Sequence, residues 1–146
     1  MFKRLPIPEY PNNMSLTQPE SQREDWYVIT NYIAEFWCCI SNIGFFIVCW
    51  YYNWEFKTLP ILMAGICSFA SHAVPLQTLL YADKLAVIIA VMWYIHLWQK
   101  IWYYLPILLA FNLFDTYCAR NYGWTWTHIM WHLVAQYIAF LTISVY

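Results

Sequence analysis

The stretch TNYIAEFWCCISNIGFFIVCWYY, residues 30–52, decides the fold. Crossing a bilayer core of roughly 30 Å takes about 20 predominantly apolar residues in a helix. This run supplies them with a single charge, Glu35, before the polar break at Asn53–Lys57. It predicts a transmembrane helix. The composition of the chain agrees: 62% of the 146 residues are hydrophobic, 22% aromatic and only 10% charged, well outside the balance of a soluble domain. Trp and Tyr suit lipid–water interfaces as well as cores.

Four more apolar segments follow: 59–74, ended by Pro75; 83–98, closed by Gln99 and Lys100; 101–117, containing Pro106; and 124–145. The polar stretch DTYCARNYG, 115–123, reads as the loop ahead of the last segment. The prediction is an all-α, multi-pass integral membrane bundle of about five transmembrane helices over residues 26–146, the number that a chain of this length accommodates. Residues 1–25 are polar, hold four prolines and lack an apolar leader run, so they read as a flexible or surface-lying arm. Several segments are short for a bilayer, and tilt, local thinning or extension into 76–81 is expected. The formal charge of −1 offers no field for nucleic acid. Cys38, Cys39, Cys49 and Cys67 fall inside apolar segments and Cys118 near a segment end, which predicts packing residues rather than a disulfide framework.

Counting crossings from the arm brings the polar groups together. The first segment starts on the arm side, the second ends there, and the third and the last start there. Glu35, Ser68, His72, Asp83, His128 and His132 therefore belong to one leaflet. Ser68 and His72 are spaced i, i+4, as are His128 and His132 in HIMWH, so each pair shares a helix face. Three imidazoles from two helices suffice for a catalytic zinc site, which takes three protein ligands and keeps one position open. The absence of Glu between His128 and His132 excludes the HExxH protease pattern. Taken singly, each His reads equally well as a hydrogen-bonded packing residue, and Ser68 as bonded to its own helix backbone. Taken together, ionisable groups are costly in a membrane and mark function. His96 lies 13 residues beyond Asp83, roughly 20 Å along a helix, and is expected to stay outside the site.

The motifs YIAEFWCCISN at 32–42, Ser68-x-x-x-His72 followed by Asp83, and His128-x-x-x-His132 resemble those of the alkaline ceramidases. These belong to a superfamily of membrane hydrolases that also includes the progestin and adiponectin receptor type. The resemblance covers roughly residues 24–85 and 124–140. It implies a zinc ion held by His72, His128 and His132, with Ser68 and Asp83 as catalytic residues beside the water that the ion activates. In our assignment Asp83 handles the proton and Ser68 bonds the developing oxyanion. The implied substrate is ceramide within the membrane, cleaved to a sphingoid base and a free fatty acid.

The same resemblance implies a calcium site using Glu24, Asp25 and Glu35. There the family's Asp-Trp-Cys-Glu-x-Asn-Tyr reads Ser21 to Tyr27 as SQREDWY, losing an Asp and an Asn where about six oxygen ligands are needed. Glu24 and Asp25 read equally as a solvated charge pair before a helix. The family has seven transmembrane helices and this chain has room for about five. Removing two crossings preserves parity, so His128 and His132 still reach the arm side. The rival expectation is a non-catalytic or receptor-like membrane protein in which zinc staples helices together.

Overall fold

A computed structural model describes residues 33–74, 76–122 and 126–146. The chain is helical, with no strand among the described residues. Among the described residues the long helices are α1 (Phe36–Tyr51), α2 (Leu59–Ala73), α3 (Gln77–Tyr94), α5 (Tyr104–Tyr122) and α6 (Trp126–Ser144); the four-residue α4 (Trp98–Ile101) links α3 to α5. The predicted arm, 1–25, lies outside the described residues.

Local chemistry sets the boundaries. α1 ends in a turn where Asn53 and Trp54 adopt φ of 52° and 56°. Pro60 lies in the first turn of α2, where its missing N–H costs no intrahelical bond. α2 stops at Val74, which is extended as the residue before a proline tends to be. Pro106 falls within the first turn of α5, again among donors with no intrahelical acceptor.

Two boundaries differ from the sequence expectation. The third segment starts at Gln77 rather than Asp83, because Pro75 blocks only its immediate surroundings and nothing in Gln77–Ala82 opposes helix. Asp83 thus sits in the second turn of α3. The stretch 115–122 is helical as the end of α5: it contains neither Pro nor Gly before Gly123, and polar composition alone does not break a helix.

α1 packs on α2 and α6, α2 on α3, and α5 on α6, whereas α3 makes no extended contact with α5 or α6. Backbone bonds from Ala34 N–H to Ala73 O (3.1 Å) and from Glu35 N–H to His72 O (3.0 Å) tie the start of α1 to the end of α2. The apolar core joins Phe45, Val48 and Cys49 of α1 to Ile61 of α2, Tyr94 of α3, and Ala139 and Ile143 of α6. Gly65 permits close approach of α1 and α2, since a Cβ there would lie 2.8 Å from Phe45 Cβ. The five cysteines are free, and Cys38, Cys39, Cys49 and Cys118 are buried, in keeping with packing roles. The outward faces are apolar too: Trp37, Ile47, Ile88, Met92, Leu109 and Leu113 are all exposed. Among the described residues, the segment Gln77–Leu97 is long and apolar enough to cross a membrane, and Phe36–Tyr51 is apolar but shorter.

Candidate metal centre

His72 occupies the last turn of α2, and His128 and His132 the first two turns of α6. The fold brings all three together, with ligand atoms within 4.8 Å of one another. Ring centroids are 4.8 Å apart for His72–His128, 5.1 Å for His72–His132 and 4.6 Å for His128–His132. His72 Nε2 and His128 Nε2 approach to 3.1 Å.

Each imidazole is oriented through its other nitrogen. His72 Nδ1 bonds Glu35 Oε2, at the entrance to α1. His128 Nδ1 lies 2.6 Å from Asp115 Oδ2, on α5, and the second Asp115 oxygen accepts from Thr127 Oγ1 at 2.8 Å. His132 Nδ1 lies 2.7 Å from Ser41 Oγ, on α1. The protons follow from the partners. Glu35 and Asp115 as carboxylates only accept, so Nδ1 of His72 and His128 donate. Ser41 spends its single proton on Cys38 O at 2.7 Å, so its oxygen accepts from His132 Nδ1–H. Gln136 Nε2 donates to Ser41 O and braces that turn, and Gly44 makes room for the amide, which a Cβ would strike.

With every Nδ1 engaged outward, three Nε2 lone pairs point inward. Two acceptors at 3.1 Å repel unless something positive lies between them. One shared proton matches two nitrogens and leaves the third, whereas a metal ion takes all three. Outer carboxylate or hydroxyl partners on ligating histidines are the usual way such sites fix tautomer and ring orientation. The donor set therefore fits a metal ion.

Ser68 and Asp83 stand beside this cluster. Both line, with His128 and His132, one end of a cavity of about 150 Å³. Asp83 Oδ1 is buried with no hydrogen-bond partner among the described residues, an expensive state for a carboxylate oxygen unless a ligand or water meets it. Ser71 and Ser41 turn their hydroxyls onto carbonyls three residues back. Ser68, buried at 6% exposure, does not, so its hydroxyl is available to the cavity. Beyond these groups the wall turns apolar, through Val87 and Ala90 of α3, Leu108 of α5 and Ala135 of α6, to a floor at Tyr94 and Ile101. Tyr94 is fixed there by donating its hydroxyl to Lys57 O.

The structure thus gathers His72, His128, His132, Ser68 and Asp83 as expected. Glu35, anticipated as a calcium ligand, is engaged with His72; Glu24 and Asp25 lie outside the described residues. His96 stays apart, donating from Nδ1 to Trp93 O (2.9 Å) with its ring 5.3 Å from that of Tyr146. Asp115, Ser41 and Thr127 were missed as site residues. Asp115 carried a partial signal: it lies only 13 residues ahead of His128, so an antiparallel α5–α6 pair can set the two close.

No family model matches the chain, and no curated protein or solved structure does.

Proposed function

We propose that this chain is a zinc-dependent membrane amidohydrolase that cleaves ceramide to a sphingoid base and a free fatty acid. The observation that carries the reading is three inward Nε2 donors, each locked from behind, at the polar head of an apolar cavity shared with Ser68 and Asp83. Three neutral imidazoles suit zinc over the oxygen-seeking calcium and magnesium ions. A tetrahedral ion with Zn–N bonds of about 2.0–2.1 Å spaces its nitrogens roughly 3.3 Å apart, close to the 3.1 Å between His72 and His128.

When bound, the ion supplies Lewis acidity, polarising the amide carbonyl and acidifying water. Asp83, which lines the cavity and holds one unpaired carboxylate oxygen, takes the proton of the attacking water and passes it to the leaving amine nitrogen. Ser68 donates its hydroxyl proton in a hydrogen bond to the oxygen on which negative charge develops. The apolar cavity takes a hydrocarbon chain beside the scissile amide and keeps bulk water away from it. A membrane setting is supported by the large apolar side chains exposed on α1, α3 and α5 and by the Gln77–Leu97 segment: lipid solvates such surfaces at no cost, and it also holds the substrate.

One observation favours the staple reading. α2 and α6, which carry the three histidines, make no extended contact with each other, so an ion would join otherwise separate helices. Metal content of the purified protein, combined with product analysis on a ceramide panel, decides between them. The hydrolase reading expects one zinc per chain and free fatty acid from wild type, with both lost in His72→Ala and His128→Ala. Full turnover by correctly inserted His72→Ala protein would end it, and stoichiometric zinc without turnover on any ceramide would establish the staple.

A further inference from the structure

Behind the three-histidine cluster lies a second set of donors. Glu35, Cys38 and His72 also bring one ligand atom each to within 4.8 Å of one another. Glu35 and Cys38 are three residues apart at the start of α1, hence on one face, and the Glu35 N–H to His72 O bond of 3.0 Å fixes that face against the end of α2. The backbone bond thus adds to the Glu35–His72 side-chain bond in holding the donors together. Cys38 is 5% exposed, and its thiol has no hydrogen-bond partner among the described residues.

We propose that Glu35, Cys38 and His72 form a second metal site, for a borderline or soft divalent cation such as zinc or cadmium, whose filling shuts down the three-histidine centre. A carboxylate oxygen, a thiolate and an imidazole nitrogen make a set that such ions accept and that calcium, which takes oxygen ligands, does not. A tetrahedral ion with bonds of about 2.0–2.3 Å spaces its donors roughly 3.3–3.8 Å apart, a rotamer-scale contraction from the present spread. The ion displaces two protons, the thiol proton of Cys38 and the Nδ1 proton of His72, and both leave to solvent. One dication replaces two protons, so the net charge of the site is unchanged, with the ion set against a carboxylate, a thiolate and the imidazolate that His72 becomes. Glu35 turns from His72 to the ion, and His72 becomes a bridge between two cations that compete for its electrons. The imidazolate places negative charge on the first ion and lowers its Lewis acidity, and the Glu35 bond that fixed the His72 ring is lost. Inhibition of turnover rests on the hydrolase reading, whereas the second site itself does not.

The test uses the full chain in detergent micelles, already loaded with one zinc, titrated with zinc and, separately, with cadmium. Expected are a second bound equivalent, a cadmium–thiolate charge-transfer absorption that grows with it, and turnover falling tenfold or more as it fills. Cys38→Ser and Cys38→Ala should bind one equivalent, show no such band and lose the inhibition, while Cys39→Ser keeps the band. In wild-type protein, cadmium should protect Cys38 from a permeant maleimide, read by peptide mass spectrometry, so the site is checked even if the Cys38 variants fail to fold. A single equivalent at saturation, an absorption band that survives loss of Cys38, or unprotected Cys38 would each overturn the second site. A protein that binds two ions but never turns over ceramide would instead keep the site and overturn the hydrolase reading.

Discussion

Asp115 is the residue whose removal tests the logic of the centre most directly. Its carboxylate takes two hydrogen bonds, from His128 Nδ1 at 2.6 Å and Thr127 Oγ1 at 2.8 Å, while buried at 6% exposure. Asp115→Ala removes both acceptors and with them the bond that orients the part-buried His128 ring. A hydrogen bond to a charged group contributes about 1.5–3 kcal/mol, and loss of the outer partner of a metal-bound His typically costs 10–100-fold in affinity. Asp115→Ala is therefore expected to weaken zinc binding about 100-fold. Asp115→Asn, whose amide oxygen still accepts from Nδ1–H, should weaken it by about tenfold. Ser41→Ala, which deletes a neutral acceptor on His132, should fall near the lower figure, since bonds to uncharged partners are roughly half as strong. Competition against a chromogenic chelator measures all three, with His96→Ala as the control that leaves affinity unchanged. If turnover of Asp115→Ala returns at saturating zinc, Asp115 acts by orienting His128. Wild-type zinc affinity in Asp115→Ala would refute the claim that outward bonds at Nδ1 shape the site.

Asp83→Asn should lower ceramide turnover by about 10²–10⁴-fold while zinc stays stoichiometric, seen by product analysis alongside metal content. Gly44→Ala drives a methyl into the Gln136 amide and should destabilise the fold by about 1–3 kcal/mol, read as a lower thermal midpoint together with weaker zinc binding, because Gln136 braces Ser41. Tyr94→Leu should deepen the cavity floor and Val91→Phe should fill its shaft. The preference for long over short acyl chains should then change in opposite directions, by about tenfold or more, in competition between ceramides of two chain lengths.

The three clustered histidines were legible because helical spacing and crossing parity need no tertiary knowledge. His72, His128 and His132 had to fall at one end of any bundle with these segments. Asp115 was not legible in the same way: DTYCARNYG has the composition of a loop, and only the packing of α5 on α6 turns its first residue into a buried acceptor. Glu35 shows a different limit. Its place near the site followed from the crossing count, but its partner depends on the register in which Glu35 N–H meets His72 O, and no local pattern encodes that pairing. Asp83 lay correctly at the arm end, yet the sequence put it at the start of a helix, since Pro75 looked like the end of order for longer than it is.

The bundle holds this centre because of where its supports lie. The bond from His72 to Glu35 spans α2 and the start of α1, that from His132 to Ser41 spans α6 and α1, and that from His128 to Asp115 spans α6 and α5. These three helix pairs are packed interfaces of the fold, so the contacts that build the bundle also aim the ligands. α3 supplies none of the three bonds: it packs on α2, brings Asp83 and makes no extended contact with α5 or α6, and its residues line the cavity together with theirs. The three histidines and the groups that orient them thus lie on α1, α2, α5 and α6 or, for Glu35, at the entrance to α1, and Asp83 joins them from α3.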